Sequence, residues 1–166
     1  IMVKIDNSSA VREQYNSFVN SISLQNIRLV ECAVNSGIER PLPKKTSIGI
    51  KFSTSLNGIK NDSDSVSFDS NAEAEIVFRS RDSDHILGTI KVNFILSYES
   101  KIQVEEEIIE LFVKRNVPIN AWPYLREFIQ SMIQRMGWST FILPPLRPNA
   151  SSKKSSPRRK LPDKDR

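Results

Sequence analysis

The chain has 166 residues, 39% of them hydrophobic, which suits one domain with a sizeable core. No apolar run approaches the roughly 20 residues needed to span a bilayer, and the first residues carry neither the apolar stretch nor the cleavage-like site of a secretory signal. The net charge of +5 belongs to residues 151–166, where seven basic side chains face two acidic ones, while residues 1–150 hold 17 of each sign. That balance excludes a uniformly basic nucleic-acid-binding body. It predicts a neutral domain over about 1–150 and a disordered basic tail, rich in Ser, Pro and charge, over 151–166. The single cysteine, Cys32, allows no intrachain disulfide and fits a reducing, cytoplasmic setting. The isoleucine ahead of Met2 reads as a shifted start or an added residue.

In chain order, Val11, Tyr15, Phe18, Val19 and Ile22 form one helical stripe, with Ser8 or Ser9 as cap, and predict a helix over about 9–22. Alternation then predicts four strands over about 23–99. In the first, Val30, Cys32 and Val34 share one face and Ile27 and Leu29 the other. Ile48, Ile50, Phe52, Thr54 and Leu56 mark the second. In the third, Ala72, Ala74, Ile76 and Phe78 alternate with Glu73, Glu75, Val77 and Arg79. In the fourth, Ile90, Val92, Phe94, Leu96 and Tyr98 alternate with Lys91, Asn93, Ile95 and Ser97. Such patterns suit an antiparallel sheet covered on one side. Residues 37–45 read as a proline-stiffened connection, 57–71 as a long polar loop that Val66-Ser67-Phe68 could shorten, and 81–84 as a hairpin turn.

Two helices follow over about 103–137. Val104, Ile108, Leu111 and Phe112 form the face of the first, with Glu105, Glu106 and Glu107 in its first turn and Lys114 and Arg115 in its last, as the helix dipole favours. Val117-Pro118 ends it. Asn120 is the expected cap of the second, which puts Pro123 in the first turn, where a missing N–H is harmless. Leu125, Phe128, Ile129, Met132, Ile133 and Met136 form its stripe, and Gly137 is its stop. The expected fold is α+β: a four-stranded antiparallel sheet with two C-terminal helices on one face, plus an N-terminal helix.

Chemistry-bearing residues are sparse. His85 stands alone beside the predicted hairpin turn, Cys32 reads as a small buried apolar residue, no metal-ligand spacing occurs, and the five glycines are isolated. No catalytic residue, metal or cofactor is expected, and the chain does not read as an enzyme. Large apolar surface is instead gathered between Trp122 and Leu146, more than a one-sheet domain readily encloses. Each such side chain either completes the core or an oligomer interface, or lines a groove for apolar segments of another polypeptide, for which Met and aromatic residues are suited.

The stretch NVPINAWPYLREFIQSMIQRMGWSTFILPPL resembles the SecB chaperone family, whose Pro-Tyr-x-Arg-Glu helix start and later Leu-x-Pro element correspond to Pro123, Tyr124, Arg126, Glu127 and to Leu143, Pro144, Pro145. With the order of strands and helices, the likeness covers roughly residues 22–147. It implies a cytoplasmic, ATP-independent holdase, a homotetramer built as a dimer of dimers, that keeps unfolded preproteins extended, often for the SecA export motor. The client-binding positions it implies are Ile38 and Leu42 in the first connection, then Trp122, Tyr124, Met132, Ile133, Met136, Trp138, Leu143 and Leu146. Two features depart from the export members: the first strand offers Asn26 and Arg28 with few acids, and the C-terminal end is basic. Both fit SecB-like relatives dedicated to an antitoxin polypeptide, so export and antitoxin clients both stay open. The rival readings are a nucleic-acid-binding protein using the basic tail and a purely structural oligomer subunit.

Overall fold

The computed structural model describes residues 9–37, 42–138 and 142–146. The expected basic tail over 151–166 and the expected contact at Ile38 lie outside these residues. The elements run α1 (Ser9–Ser21), β1 (Ile22–Ser36), β2 (Thr46–Asn61), β3 (Val66–Ser80), β4 (Ile86–Ser100), α2 (Glu106–Arg115) and α3 (Val117–Arg135). The four strands form one antiparallel sheet in the order β1-β4-β3-β2. The α+β class and the helix–sheet–helices order are therefore as expected. β1 and β2 occupy opposite edges, so residues 37–45 join the two edges of the sheet.

The core follows from strand alternation. Val66, Phe68, Ala72, Ala74, Ile76 and Phe78 of β3 are buried, as are Ile90, Val92, Phe94, Leu96 and Tyr98 of β4. The helices add Phe18 from α1, Ile108, Ile109, Phe112 and Val113 from α2, and Leu125, Ile129 and Ile133 from α3. At one end Phe18, Phe68, Tyr98 and Phe112 form an aromatic cluster, with the Phe68 and Tyr98 rings stacked at 5.2 Å and Phe112 edge-on to Tyr98 at 5.2 Å. α1 is held there by more than Phe18. The Tyr15 hydroxyl donates to Asn116 Oδ1, the Arg115 guanidinium lies 5.7 Å above the Tyr15 ring, and Ser21 Oγ lies 2.6 Å from Ser100 Oγ.

Four details differ from the sequence reading. The expected loop over 57–71 is mostly strand. β2 runs to Asn61 and β3 starts at Val66, because a bulge between Leu56 and Ile59, with Gly58 at φ 124°, returns Ile59 to the core side opposite Phe68. In β1, two bulges, between Leu24 and Asn26 and between Leu29 and Glu31, change the face pattern. Ile27 and Leu29 pair with the core residues Leu96 and Phe94, while Cys32 and Val34 pair with Val92 and Ile90. All four therefore share the helix side of the sheet, because each bulge shifts the period-2 alternation by one residue. Cys32 is exposed, not buried, because this edge strand projects beyond the helices.

The fourth difference concerns the last helix. Asn116, not Asn120, stands at its start, Pro118 occupies its first turn, and Pro123 lies inside it. The hinge is the single residue Asn116 between α2 and α3; its N–H still bonds back to the Phe112 carbonyl at 2.7 Å. Asn120 is a helical residue whose amide donates to the Tyr98 hydroxyl at 3.1 Å. The rest of the C-terminal reading agrees: Leu125, Ile129 and Ile133 are buried, Phe128, Met132 and Met136 half-buried against the core, and Gly137 takes φ 69° just past the helix end. His85 is exposed beside the β3–β4 turn, where its carbonyl accepts from Ser80 N–H.

Candidate functional site: an apolar groove on the last helix

α3 begins at Val117 with a proline in its first turn, which fixes the backbone for helix entry. Counted from that start, Ile119, Trp122, Pro123 and Arg126 fall at spacings of three, four and seven and share one face. With Pro145 and Leu146 of the C-terminal segment they line a depression of about 290 Å³. Its lining is apolar apart from Arg126.

Trp122 forms the floor. It is 9% exposed, its ring meets Phe52 of β2 edge-on at 5.4 Å, and its indole N–H donates to the Pro144 carbonyl at 3.0 Å. That bond, with Leu143 almost fully buried, seats residues 142–146 against α3 and sets the far wall. Proline suits this wall, because a segment without N–H donors at Pro144 and Pro145 exposes fewer unpaired polar groups beside an apolar surface.

Pro123 has a second effect. It lacks the N–H that a helix residue would give to the carbonyl four residues earlier, so the Ile119 carbonyl loses that donor. Ile119 is itself 51% exposed. Arg126 is half-buried and forms no ion pair among the described residues. Its neighbours one turn away, Trp122, Pro123, Ile129 and Gln130, include no acid.

The outer face of the sheet is different in kind. A depression of about 320 Å³ there is lined by Glu31, Lys51, Glu73, Glu75, Lys91 and Asn93 among others. Glu75 is bonded to Lys91 at 3.2 Å and Lys51 at 3.5 Å, and the Lys91 hydrogen bond, with the charges of both lysines, holds its carboxyl below the ordinary range. This surface is polar, and both of its lysines converge on Glu75 while Glu31 and Glu73 form no ion pair among the described residues. Among the described residues no group of three or more His, Cys, Asp or Glu is placed to hold a metal ion, and no helix is long and apolar enough to cross a membrane.

The client positions implied by the sequence distribute as follows. Trp122 and Leu146 meet in the apolar groove. Tyr124 is 49% exposed one residue beyond Pro123. Leu42, Met132 and Met136 are half-buried against the core. Ile133, Trp138 and Leu143 are enclosed within the chain; Trp138 packs edge-on to Phe78 at 5.0 Å. Ile119, Pro123, Arg126 and Pro145 complete the groove without having been singled out as contacts. Their signal was present as the spacing from Ile119 to Arg126, but it emerges only once the helix starts at Val117. A further apolar row, Leu24, Leu29 and Val34, stays exposed on the helix side of β1.

No family model and no curated protein matches the sequence. The fold is similar to that of the solved Mycobacterium tuberculosis Rv1957 SecB-like chaperone in complex with a ChAD peptide from the Rv1956 HigA1 antitoxin. The TM-score is 0.68 at 14% identity, over 78% of this chain and 93% of that one. The chain thus has the SecB-like fold that its C-terminal sequence resembled.

Proposed function

We propose that the protein is an ATP-independent holding chaperone that binds unfolded or nascent polypeptide segments in the groove on α3. The observation that carries this reading is the groove itself: an open apolar depression with a tryptophan floor, on a fold similar to that of a SecB-like chaperone solved with an antitoxin peptide. Trp122 and Leu146 in the groove, and Tyr124, Leu42, Met132 and Met136 outside its lining, are the proposed client contacts. Ile133, Trp138 and Leu143 are enclosed within the chain and would meet a client only where binding opens the segments that cover them.

Holding requires moderate, reversible affinity. Burying a few hundred Å² of apolar surface yields on the order of 10 kcal/mol before association and ordering costs remove much of it. Several grooves in one assembly would then act together on a long client through effective concentration. The exposed apolar row on the β1 edge is consistent with an assembly of such subunits, for which we propose a cytoplasmic homotetramer. The client is either an exported precursor or a dedicated antitoxin. The few acids of the first strand and the basic C-terminal end favour the antitoxin.

The test is aggregation of a chemically denatured client, followed by light scattering without nucleotide. Suppression at stoichiometric chaperone supports the proposal, and unchanged scattering refutes it.

A further inference from the structure

We propose that the α3 groove discriminates among apolar segments by charge, preferring those that carry a carboxylate, which Arg126 binds. The inference rests on the holding function proposed above and names the client chemistry that this site selects. The groove offers one cation in otherwise apolar walls, and that cation has no ion-pair partner among the described residues. Elsewhere Lys51 and Lys91 share Glu75, Lys45 meets Asp82, and Arg115 lies over the Tyr15 ring. Glu127, next in sequence, lies about 100° around the helix and so faces away from Arg126.

Size and chemistry narrow the occupant. About 290 Å³ lies at the lower edge of the roughly 300–1,000 Å³ of small-molecule sites, so the depression fits one or two side chains of a longer segment better than a whole cofactor. Apolar walls lower the local dielectric, which strengthens a guanidinium–carboxylate contact relative to open water. A guanidinium can also make two parallel bonds to one carboxylate, fixing the register of the bound segment. A lysine at the same place in a client meets like charge and is rejected.

The decisive experiment uses the full chain and fluorescein-labelled peptides identical in their Leu, Ile and Phe residues but carrying Asp, Asn or Lys at one central position. Fluorescence anisotropy should give the Asp peptide an affinity roughly three- to tenfold above the Asn peptide, with the Lys peptide weaker still. Arg126→Gln should level the series and Arg126→Glu should invert it, with circular dichroism and hydrodynamic size unchanged. Equal binding of all three peptides by the wild type overturns the role of Arg126 and leaves the holding function standing. Failure of every peptide to bind, together with no suppression of aggregation, overturns both. Should Arg126→Glu not fold, the wild-type series alone still decides.

Discussion

The indole N–H of Trp122 donates to the carbonyl of Pro144 at 3.0 Å, so one side chain is both the floor of the groove and the clasp that holds its far wall. Trp122→Phe removes the clasp and trims the indole to a single ring, which leaves a small void beside Phe52. It should lower the stability by about 1.5–3 kcal/mol, one net hydrogen bond plus the void. Peptide affinity should fall further than that, because the 142–146 wall loosens. Urea titration and anisotropy on the same samples separate the two effects.

Pro123→Ala should move stability and binding in opposite directions. The substitution returns an N–H to the Ile119 carbonyl and removes a proline from a helix interior, worth about 1–3 kcal/mol in favour of the folded state. The apolar ring that Pro123 adds to the groove lining shrinks to a methyl group, so contact with a client is lost. A higher urea midpoint with weaker peptide binding is the expected result.

Gly88 lies directly beneath Trp138. A Cβ there would sit 2.4 Å from the Trp138 ring and 2.6 Å from the Asn35 backbone oxygen. Gly88→Ala should therefore cost about 1–3 kcal/mol or more. Replacing Trp138 with Leu in the same chain should recover only part of the loss, because the Asn35 carbonyl belongs to the neighbouring strand and cannot swing away. A thermal-denaturation double-mutant cycle measures the recovered part.

Tyr98 gives a pH signature. Burial pushes its phenol up to about 12, against an opposing hydrogen bond from Asn120. An unfolded tyrosine ionises near 10. Above pH 10 the unfolded chain therefore loses the proton first, and the native state is penalised. The stability that Tyr98 contributes is complete below pH 10 and should decline by roughly 3 kcal/mol as pH rises towards 12. Lysines titrate in the same window, so the measurement is the difference between wild type and Tyr98→Phe. The wild type alone should carry this extra slope in urea midpoint between pH 9 and 11.5.

The strands of this fold were legible because alternation is local. Ala72 to Phe78 display one buried face, and so do Ile90 to Tyr98 apart from Ile95, which is buried on the other side of the sheet. β1 was harder, since bulges leave no mark in composition. Leu29 and Cys32 look like opposite-face residues until Val30 is known to be the extra one. The polar residues of 57–71 concealed strand for a similar reason: Ser70 is fully buried, yet its hydroxyl finds the Ser55 carbonyl at 2.9 Å, a partner that only the sheet supplies.

The groove was half legible. Trp122 and Leu146 were implied by the family resemblance, whereas Ile119 and Arg126 were hidden by an ambiguity between two prolines. Either Pro118 or Pro123 can open a helix, and the local rule prefers the one with a capping asparagine three residues ahead. Packing chose Pro118 instead. Starting at Val117 buries that residue completely and lets Asn120 reach Tyr98, a gain no local rule records.

The two bulges in β1 carry a consequence for the proposed holding function. A straight, regular outer strand is a template on which stretched polypeptides stack without limit, the route to fibrils. Here the ladder is interrupted twice within fifteen residues, so a guest lying along this rim loses step before it can zip. A surface rich in exposed leucine and valine can thus remain adhesive without seeding the aggregates it would have to prevent.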